Sequence, residues 1–212
     1  MKYRISTMSI EEVYVKKVYN TIAKQFDNTR YRPWTCVEEF LDTIPNNSVI
    51  GDIGCGNGKN MLYRKDCLNY GCDFSESLVK ICLQKNLNVV CGDILDIPYK
   101  TSSFDYTICI AVIHHLSTVE KRKKAIEELE RITKKGGKIL LLVWAFEQEE
   151  DSRRKFTTQE NFVEWRDKQQ KLLGKRYYYV FQKNELESLV DEKKIEKSFY
   201  EKGNWGILFK KV

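Results

Sequence analysis

Apolar residues recur at helical spacing near the start of the chain. Ile10, Val13, Tyr14, Val18, Ile22 and Phe26 predict one face of an amphipathic helix. Ser9-Ile10-Glu11-Glu12 ahead of them reads as a capping box, in which a serine and a glutamate satisfy each other's free backbone amides. A second helix is predicted from Pro33–Thr35 to about Ile44, stopped by Pro45 and Asn46-Asn47. From Ser48 the pattern changes to short apolar runs. Val49–Ile53, Cys67–Cys72, Leu87–Cys91, Phe104–Ala111 and Lys138–Trp144 read as strands. Helical stretches fall between them, at Leu78–Lys85 and Thr118–Thr133. The second of these carries a Ser117–Glu120 capping box and an Ala125, Ile126, Leu129, Ile132 stripe. Strand–helix alternation of this kind predicts a parallel sheet with helices on both faces.

The last third departs from the alternation. Lys194–Tyr200 and Gly206–Lys211, joined by Glu201-Lys202-Gly203-Asn204, predict an antiparallel hairpin. Between Ala145 and Lys183 a Thr157–Glu160 capping box predicts a helix through Leu173, followed by Arg176-Tyr177-Tyr178-Tyr179. An insertion after a strand's carboxyl end is well placed to wall a substrate site. The expected organisation is one domain over 1–212. A helical cap (1–47) precedes a core (48–144), a substrate-side insertion (145–183) and a C-terminal helix and hairpin (184–212).

Composition narrows the class. The 212 residues are 42% apolar and 12% aromatic with three prolines, which excludes a disordered or fibrous chain. The longest apolar run, Ile139–Phe146, is too short to span a bilayer. Met1-Lys2-Tyr3-Arg4 leads into a polar stretch without signal-peptide character, so a cytoplasmic location is expected. Six of the seven cysteines (Cys55, Cys67, Cys72, Cys82, Cys91, Cys109) lie in or beside apolar segments and are expected as buried free thiols. The only histidines are the adjacent pair His114 and His115, so no metal set is expected. The net charge of +6 is unevenly spread, since Ser152–Lys183 holds nine basic against three acidic residues.

The strongest chemical signal is Asp52-Ile53-Gly54-Cys55-Gly56-Asn57-Gly58, directly after the first predicted strand. Alternate glycines permit a tight turn and a close approach of backbone to ligand. The spacing matches neither G-x-G-x-x-G nor a P-loop, and an acid leading the turn suits a cationic ligand. Asp73, some twenty residues on and at the end of the second strand, is placed to accept both hydroxyls of a ribose. Gly92-Asp93-Ile94 follows the third strand, where Asp93 is placed to accept from an adenine amine.

In these residues the chain resembles class I S-adenosylmethionine-dependent methyltransferases. The resemblance spans about Ser48–Val212 and implies a Rossmann-like α/β fold with a seven-stranded, mostly parallel sheet ending in an antiparallel hairpin. It implies S-adenosyl-L-methionine as cofactor, with Asp52, Gly54, Gly56, Gly58, Asp73, Asp93, Ile94 and Ala111 around it. At finer grain the whole chain resembles the eukaryotic tRNA wobble-uridine carboxymethyl methyltransferases, which esterify 5-carboxymethyluridine in the anticodon. Three stretches carry this. The first runs from Val18-Tyr19-Asn20-Thr21-Ile22-Ala23 through Phe26, Thr29-Arg30 and Trp34. The second is Ile113-His114-His115-Leu116-Ser117-Thr118 with Lys121-Arg122 and Ala125-Ile126 beyond it. The third joins Val143–Gln148 to Arg176–Phe181 and Glu185-Leu186. The chain departs from the family in having Tyr179 where a histidine is usual. It also has Glu164 before Trp165 in a compact linker.

This second resemblance implies a carboxylate acceptor, which is already an anion at neutral pH with a reference pKa of about 4. Such a nucleophile needs positioning rather than a general base. Arg30 and Arg176 are candidates to hold it, since a guanidinium fork matches a carboxylate. His115 and Tyr177, with Tyr178, are candidates to line the pocket or stack on an extruded uridine. An alternative for each is a structural role. Lys121–Lys124, Arg153-Arg154-Lys155 and Lys171–Arg176 are the candidate RNA-contact clusters. The resemblance further implies a small zinc-binding activator subunit on the sheet edge, with Val89, Val90, Ile94 and Leu95 as candidate contacts and the zinc held by that partner. Two other activities share the same core: small-molecule methyl transfer, and RNA binding by a catalytically silent subunit.

Overall fold

The computed structural model describes residues 8–212. The capping box forms as expected: Ser9 and Glu12 each donate a backbone N–H to the other's side chain at 3.1 Å. A π-helical turn (Glu12–Lys16) runs into α1 (Lys17–Asp27), and α2 follows at Thr35–Asp42. Each helix buries an apolar stripe, Val18, Ile22 and Ala23 on α1 and Val37, Phe40 and Leu41 on α2.

Strands β1 (Val49–Ile53), β2 (Leu68–Asp73), β3 (Asn88–Cys91), β4 (Phe104–Ile110) and β5 (Thr133–Trp144) pair in parallel. Helices α3 (Glu76–Gln84) and α4 (Val119–Ile132) are the crossovers that a parallel sheet requires. Two further strands, β8 (Ile195–Glu201) and β9 (Asn204–Lys210), form the expected terminal hairpin, with β9 antiparallel to β5. The seven-stranded order is β3-β2-β1-β4-β5-β9-β8. The strand order reverses between β1 and β4, and a crevice opens at the carboxyl ends of those strands. Alternating β5 residues face the two covering layers, Ile139, Leu141 and Val143 toward the α4 stripe and Leu140 and Leu142 toward α2. Among the described residues no helix is long and apolar enough to cross a membrane.

The segment after β5 differs from expectation. Residues 157–173 form no helix; β6 (Glu160–Arg166) and β7 (Leu172–Tyr179) make a separate two-stranded antiparallel sheet. Burial alternates strictly along β6, and Phe162, Val163 and Trp165 are strand-favouring types. The turn is closed by Asp167, whose Oδ1 accepts from the N–H groups of Gln169 and Lys171 at 2.9 Å. Pairing with a distant strand has overridden a local capping pattern. The expected C-terminal helix is likewise replaced by two short 3-10 turns, Glu187–Leu189 and Glu192–Lys194. All seven thiols are free, but Cys91, on edge strand β3, is exposed rather than buried.

The α4 cap is displaced by one residue from the expected Ser117. Thr118 accepts from Lys121 N–H, because Ser117 is engaged elsewhere. Its N–H and hydroxyl both donate to Glu11 Oε1, at 2.9 and 2.7 Å, while Lys121 Nζ reaches Glu11 Oε2 at 2.6 Å. Burial alone would raise the Glu11 carboxyl, yet Lys121 and Ser117 hold it at about 2. This depressed group contributes stability that is present above its ordinary pKa of about 4.5 and is lost as pH falls toward 2. Glu11→Ala should therefore destabilise the protein by roughly 2–3 kcal/mol at pH 7. In thermal unfolding at a series of pH values, the gap from wild type should shrink on acidification.

Candidate active site

The crevice holds a cavity of about 600 Å³ lined by the glycine loop after β1, the β2–α3 and β4–α4 connections, the N-terminal helices, the end of β5 with Arg154 beyond it, and β7. The glycine loop turns immediately after β1, with Gly54 and Cys55 N–H groups donating to the Cys72 carbonyl at 2.7 and 3.1 Å. Gly54 sits at φ +78, and a Cβ there would lie 2.1 Å from Val112 Cγ2, so no other residue fits. Asp73 ends β2 inside the cavity. Its Oδ2 accepts from Gly56 N–H and its Oδ1 from Ser75 N–H, each at 2.8 Å. Burial raises this carboxyl's pKa against those two bonds. Each oxygen keeps a lone pair for a further donor. Ala111, at φ +62, lines the same wall. Asp93 and Ile94 line a narrower cavity of about 60 Å³ that shares Gly54, Asp73 and Val112 with the main one.

Two expected loop residues lie behind this wall. Gly58 packs backward, where a Cβ would meet Leu87 at 2.2 Å. Asp52 is buried beneath the loop and its carboxyl is pushed up to about 7 by burial. Its Oδ2 is 3.4 Å from Asn60 Nδ2, while Asp52 Oδ1 and Asn60 Oδ1 have no partner among the described residues. Asn60 reaches the cavity, and sequence reading missed it. Also missed were the α1 residues that tie the helical cap over the loop. Asp27 accepts from Asn57 Nδ2 at 2.8 Å and from Lys85 Nζ at 2.6 Å, and Asn20 accepts from Ser75 and Ser77 of the α3 start. Their polar character beside an apolar stripe was the available signal.

The opposite wall is carried by β7 and the histidine pair. Strand alternation sends Arg176 and Tyr178 to the cavity. Tyr177 is therefore not a cavity residue. It is buried against Phe162 at a centroid distance of 5.6 Å and contributes its carbonyl instead. His115 Nδ1 lies 2.6 Å from that carbonyl, which can only accept, so Nδ1 carries the proton. Nε2 then accepts from Tyr19 Oη at 3.0 Å. His114 has the opposite tautomer, because its Nδ1 accepts from Trp144 N–H at 3.0 Å and leaves the proton on Nε2. Burial pushes both imidazoles down, His115 to about 3 and His114 well below its ordinary value, so both are neutral. Tyr179, the position expected to hold a histidine, is on the far side, with the Arg122 guanidinium 3.7 Å from its ring and its hydroxyl donating to Glu185.

The expected basic clusters separate on the same grounds. In Lys121–Lys124, Lys121 pairs with Glu11, Arg122 is buried and Lys124 pairs with Glu128, while Lys123 is exposed and has no ion pair among the described residues. In Lys171–Arg176, Lys175 pairs with Glu164 and Arg176 enters the cavity. Of Arg153-Arg154-Lys155, Arg154 enters the cavity, stacked on Trp144 at 4.4 Å. Trp144 stacks in turn on Tyr178 at 4.0 Å and 11°.

The unpaired atoms divide the cavity in two. On the glycine-loop side the orphans are acceptors, Asn60 Oδ1 in the wall and Asp52 Oδ1 buried beneath it. On the β7 side they are donors, Arg176 Nε and His114 Nε2. Buried polar atoms without partners carry a large desolvation cost, so each side is built for the complementary ligand group: a cation over the loop, an anion against β7.

A parallel sheet with this strand order, a glycine turn after β1 and an acid ending β2 defines a Rossmann-like class I methyltransferase, and residues 51–141 match the methyltransferase domain family. The Haloferax volcanii methyltransferase solved in complex with the Trm112 methyltransferase activator has the same fold, at TM-score 0.54 and 22% identity, covering 63% of this chain and 61% of that one. The tRNA (carboxymethyluridine(34)-5-O)-methyltransferase of Arabidopsis thaliana is 49% identical over 147 residues, 69% of this chain. The chain spans only 36% of that relative's length. The Schizosaccharomyces pombe protein of the same name is 38% identical over 225 residues, covering 95% of this chain and 97% of its own. The chain belongs to the tRNA (carboxymethyluridine(34)-5-O)-methyltransferase family.

Proposed function

We propose that the protein transfers a methyl group from S-adenosylmethionine to the carboxylate of 5-carboxymethyluridine at the tRNA wobble position, giving the methyl ester. The observation that carries this is the two-sided polarity of the cavity, acceptors over the glycine loop and donors on β7. When bound, the cofactor supplies an electrophilic methyl group that a carboxylate oxygen takes in line, leaving a neutral thioether. Asp73 keeps free lone pairs for the ribose hydroxyls, Asp93 lines the extension suited to adenine, and Asn60, backed by the buried Asp52, offers an acceptor to an ammonium. Gly54, Gly56 and Ala111 give the backbone its close approach.

Arg176 is the residue to hold the acceptor carboxylate. It is buried, has no carboxylate partner among the described residues, and is braced by Nη1 donating to Tyr178 Oη at 2.7 Å. His115 and Tyr19 fix the wall through Tyr177's carbonyl and shed no proton to the reaction. A neutral, weakly basic histidine suits a nucleophile that is already ionised. The Haloferax complex supports a methyltransferase activator as partner, and the family resemblance implies that it is small and binds zinc. Edge strand β3 has unpaired backbone and an exposed Val90, suited to strand addition. Ile94 is buried in the core, which leaves Val90 the better candidate contact.

The test is methyl transfer from labelled cofactor to tRNA carrying carboxymethyluridine, with and without the activator. The expected product loses label on mild alkaline treatment, as an ester does. Alkali-stable label, or label on small molecules alone, would refute the reading. The rate constant kcat should show no inflection near pH 6.5, the ordinary histidine pKa of about that value.

A further inference from the structure

The acceptor side has more cationic charge than one carboxylate can use. Arg30, Arg154 and Arg176 all line the cavity, and none lies within salt-bridge distance of a carboxylate among the described residues. Arg176 is the buried member, whereas Arg30 and Arg154 are half-exposed. Both of these are fixed by their flat faces. Arg154 lies 4.4 Å from the centroid of Trp144, and Arg30 lies 5.3 Å from that of Phe26. A guanidinium over a ring commits its face and leaves N–H edges for an anion; Arg30 spends Nη1 on the Thr29 carbonyl and hydroxyl, at 3.1 and 3.0 Å, and keeps Nε and Nη2 without a partner among the described residues. Burial lowers the Arg154 pKa, and the charge of Arg30 is near enough to lower it further. Like charges held together without a counter-ion are unfavourable until an anion arrives.

We propose that Arg154 and Arg30 form phosphate subsites for the phosphodiester groups flanking the acceptor nucleotide, so that the cavity receives an extruded nucleotide together with its own backbone. This rests on the reading of the acceptor as an RNA carboxylate given above and adds to it. Arg176 takes the carboxylate, and the two stacked arginines take the linkages on either side. Tyr31, an 81% exposed ring between Arg30 and Arg32 at the cavity mouth, offers a platform for a neighbouring base.

The experiment is a double-mutant cycle between protein and RNA. Full-length tRNA is assembled by ligation with the linkage 5′ or 3′ of carboxymethyluridine replaced by an uncharged methylphosphonate. It is methylated by wild-type, Arg154→Gln and Arg30→Gln proteins. Neutralising a contacted linkage should lower kcat/KM for the wild type by roughly ten- to a hundredfold, the range of a charge-assisted hydrogen bond. The same neutralisation should cost the matching arginine variant little more than it has already lost. Coupling of either linkage to either arginine supports the subsites. Strict additivity at both linkages, or no loss on neutralising either, overturns them. Calorimetric cofactor binding by each variant checks that the fold is intact. If carboxymethyluridine tRNA with all its phosphodiester linkages intact yields no alkali-labile ester with wild type, the functional reading itself fails, which is a separate outcome.

Discussion

Asp73→Ala should weaken S-adenosylmethionine binding by about a hundred- to a thousandfold, measured by calorimetry. The carboxylate has two duties in the structure, and alanine removes both. It accepts the Gly56 and Ser75 N–H groups at 2.8 Å, which joins the glycine loop to the start of α3, and it is placed to accept from the cofactor ribose. Loss of two charge-assisted hydrogen bonds at about 1.5–3 kcal/mol each accounts for the size of the effect. Asp73→Asn is the informative companion. It retains the volume and one acceptor oxygen but turns an N–H₂ group toward a backbone donor. Its affinity should fall nearly as far as alanine's, with less loss of thermal stability. An asparagine variant with wild-type affinity would remove Asp73 from the cofactor site.

Arg176→Ala should produce the second large effect, a fall of about a hundred- to a thousandfold in kcat/KM for tRNA, the scale seen when one preorganised donor is removed. Cofactor affinity should change by less than threefold, because Arg176 lies on the wall opposite the glycine loop. Arg176→Lys tests geometry against charge. A lysine keeps the charge but loses the planar fork and the brace to Tyr178, so at least a tenfold loss should remain. The variants also lose the guanidinium packed 4.8 Å from Trp165, so unfolding curves must accompany the kinetics. If both variants retain full activity on tRNA, the carboxylate is held elsewhere.

The donor half of the cavity was legible in the sequence because its signals are local. Glycines at alternate positions, an acid closing β2 and apolar runs bounded by turns all declare themselves within a few residues. The acceptor half depends on pairing between distant segments. Nothing local to Thr157–Glu160 distinguishes a helix start from the approach to a strand; the partner strand twelve or more residues on decides it. Once 176–179 is known to be a strand, alternation separates Arg176 and Tyr178 from Tyr177 and Tyr179, a division invisible while the run is read as one aromatic cluster. Asp52 was correctly singled out but given the wrong place, since sequence cannot tell a residue lining a turn from one beneath it. The charge excess of Ser152–Lys183 also resolved into individual fates, with Lys175 and Arg166 paired to Glu164 and Arg154 and Arg176 entering the cavity.

Among the described residues the β6–β7 ribbon pairs with no strand of the main sheet; the chain just beyond it bridges to Ala145 at Phe181, and the ribbon reaches α1 through Gly174, whose absent side chain leaves room for Val18. The half of the site that meets the acceptor is thus an attachment, hung from one strand end and resting on a helix, while the half that meets the donor is woven into the sheet. Changes in the ribbon's length or sequence leave the sheet's register untouched. A lineage of such proteins can therefore exchange one acceptor for another by recasting about forty residues, with the methyl-donor chemistry inherited unaltered.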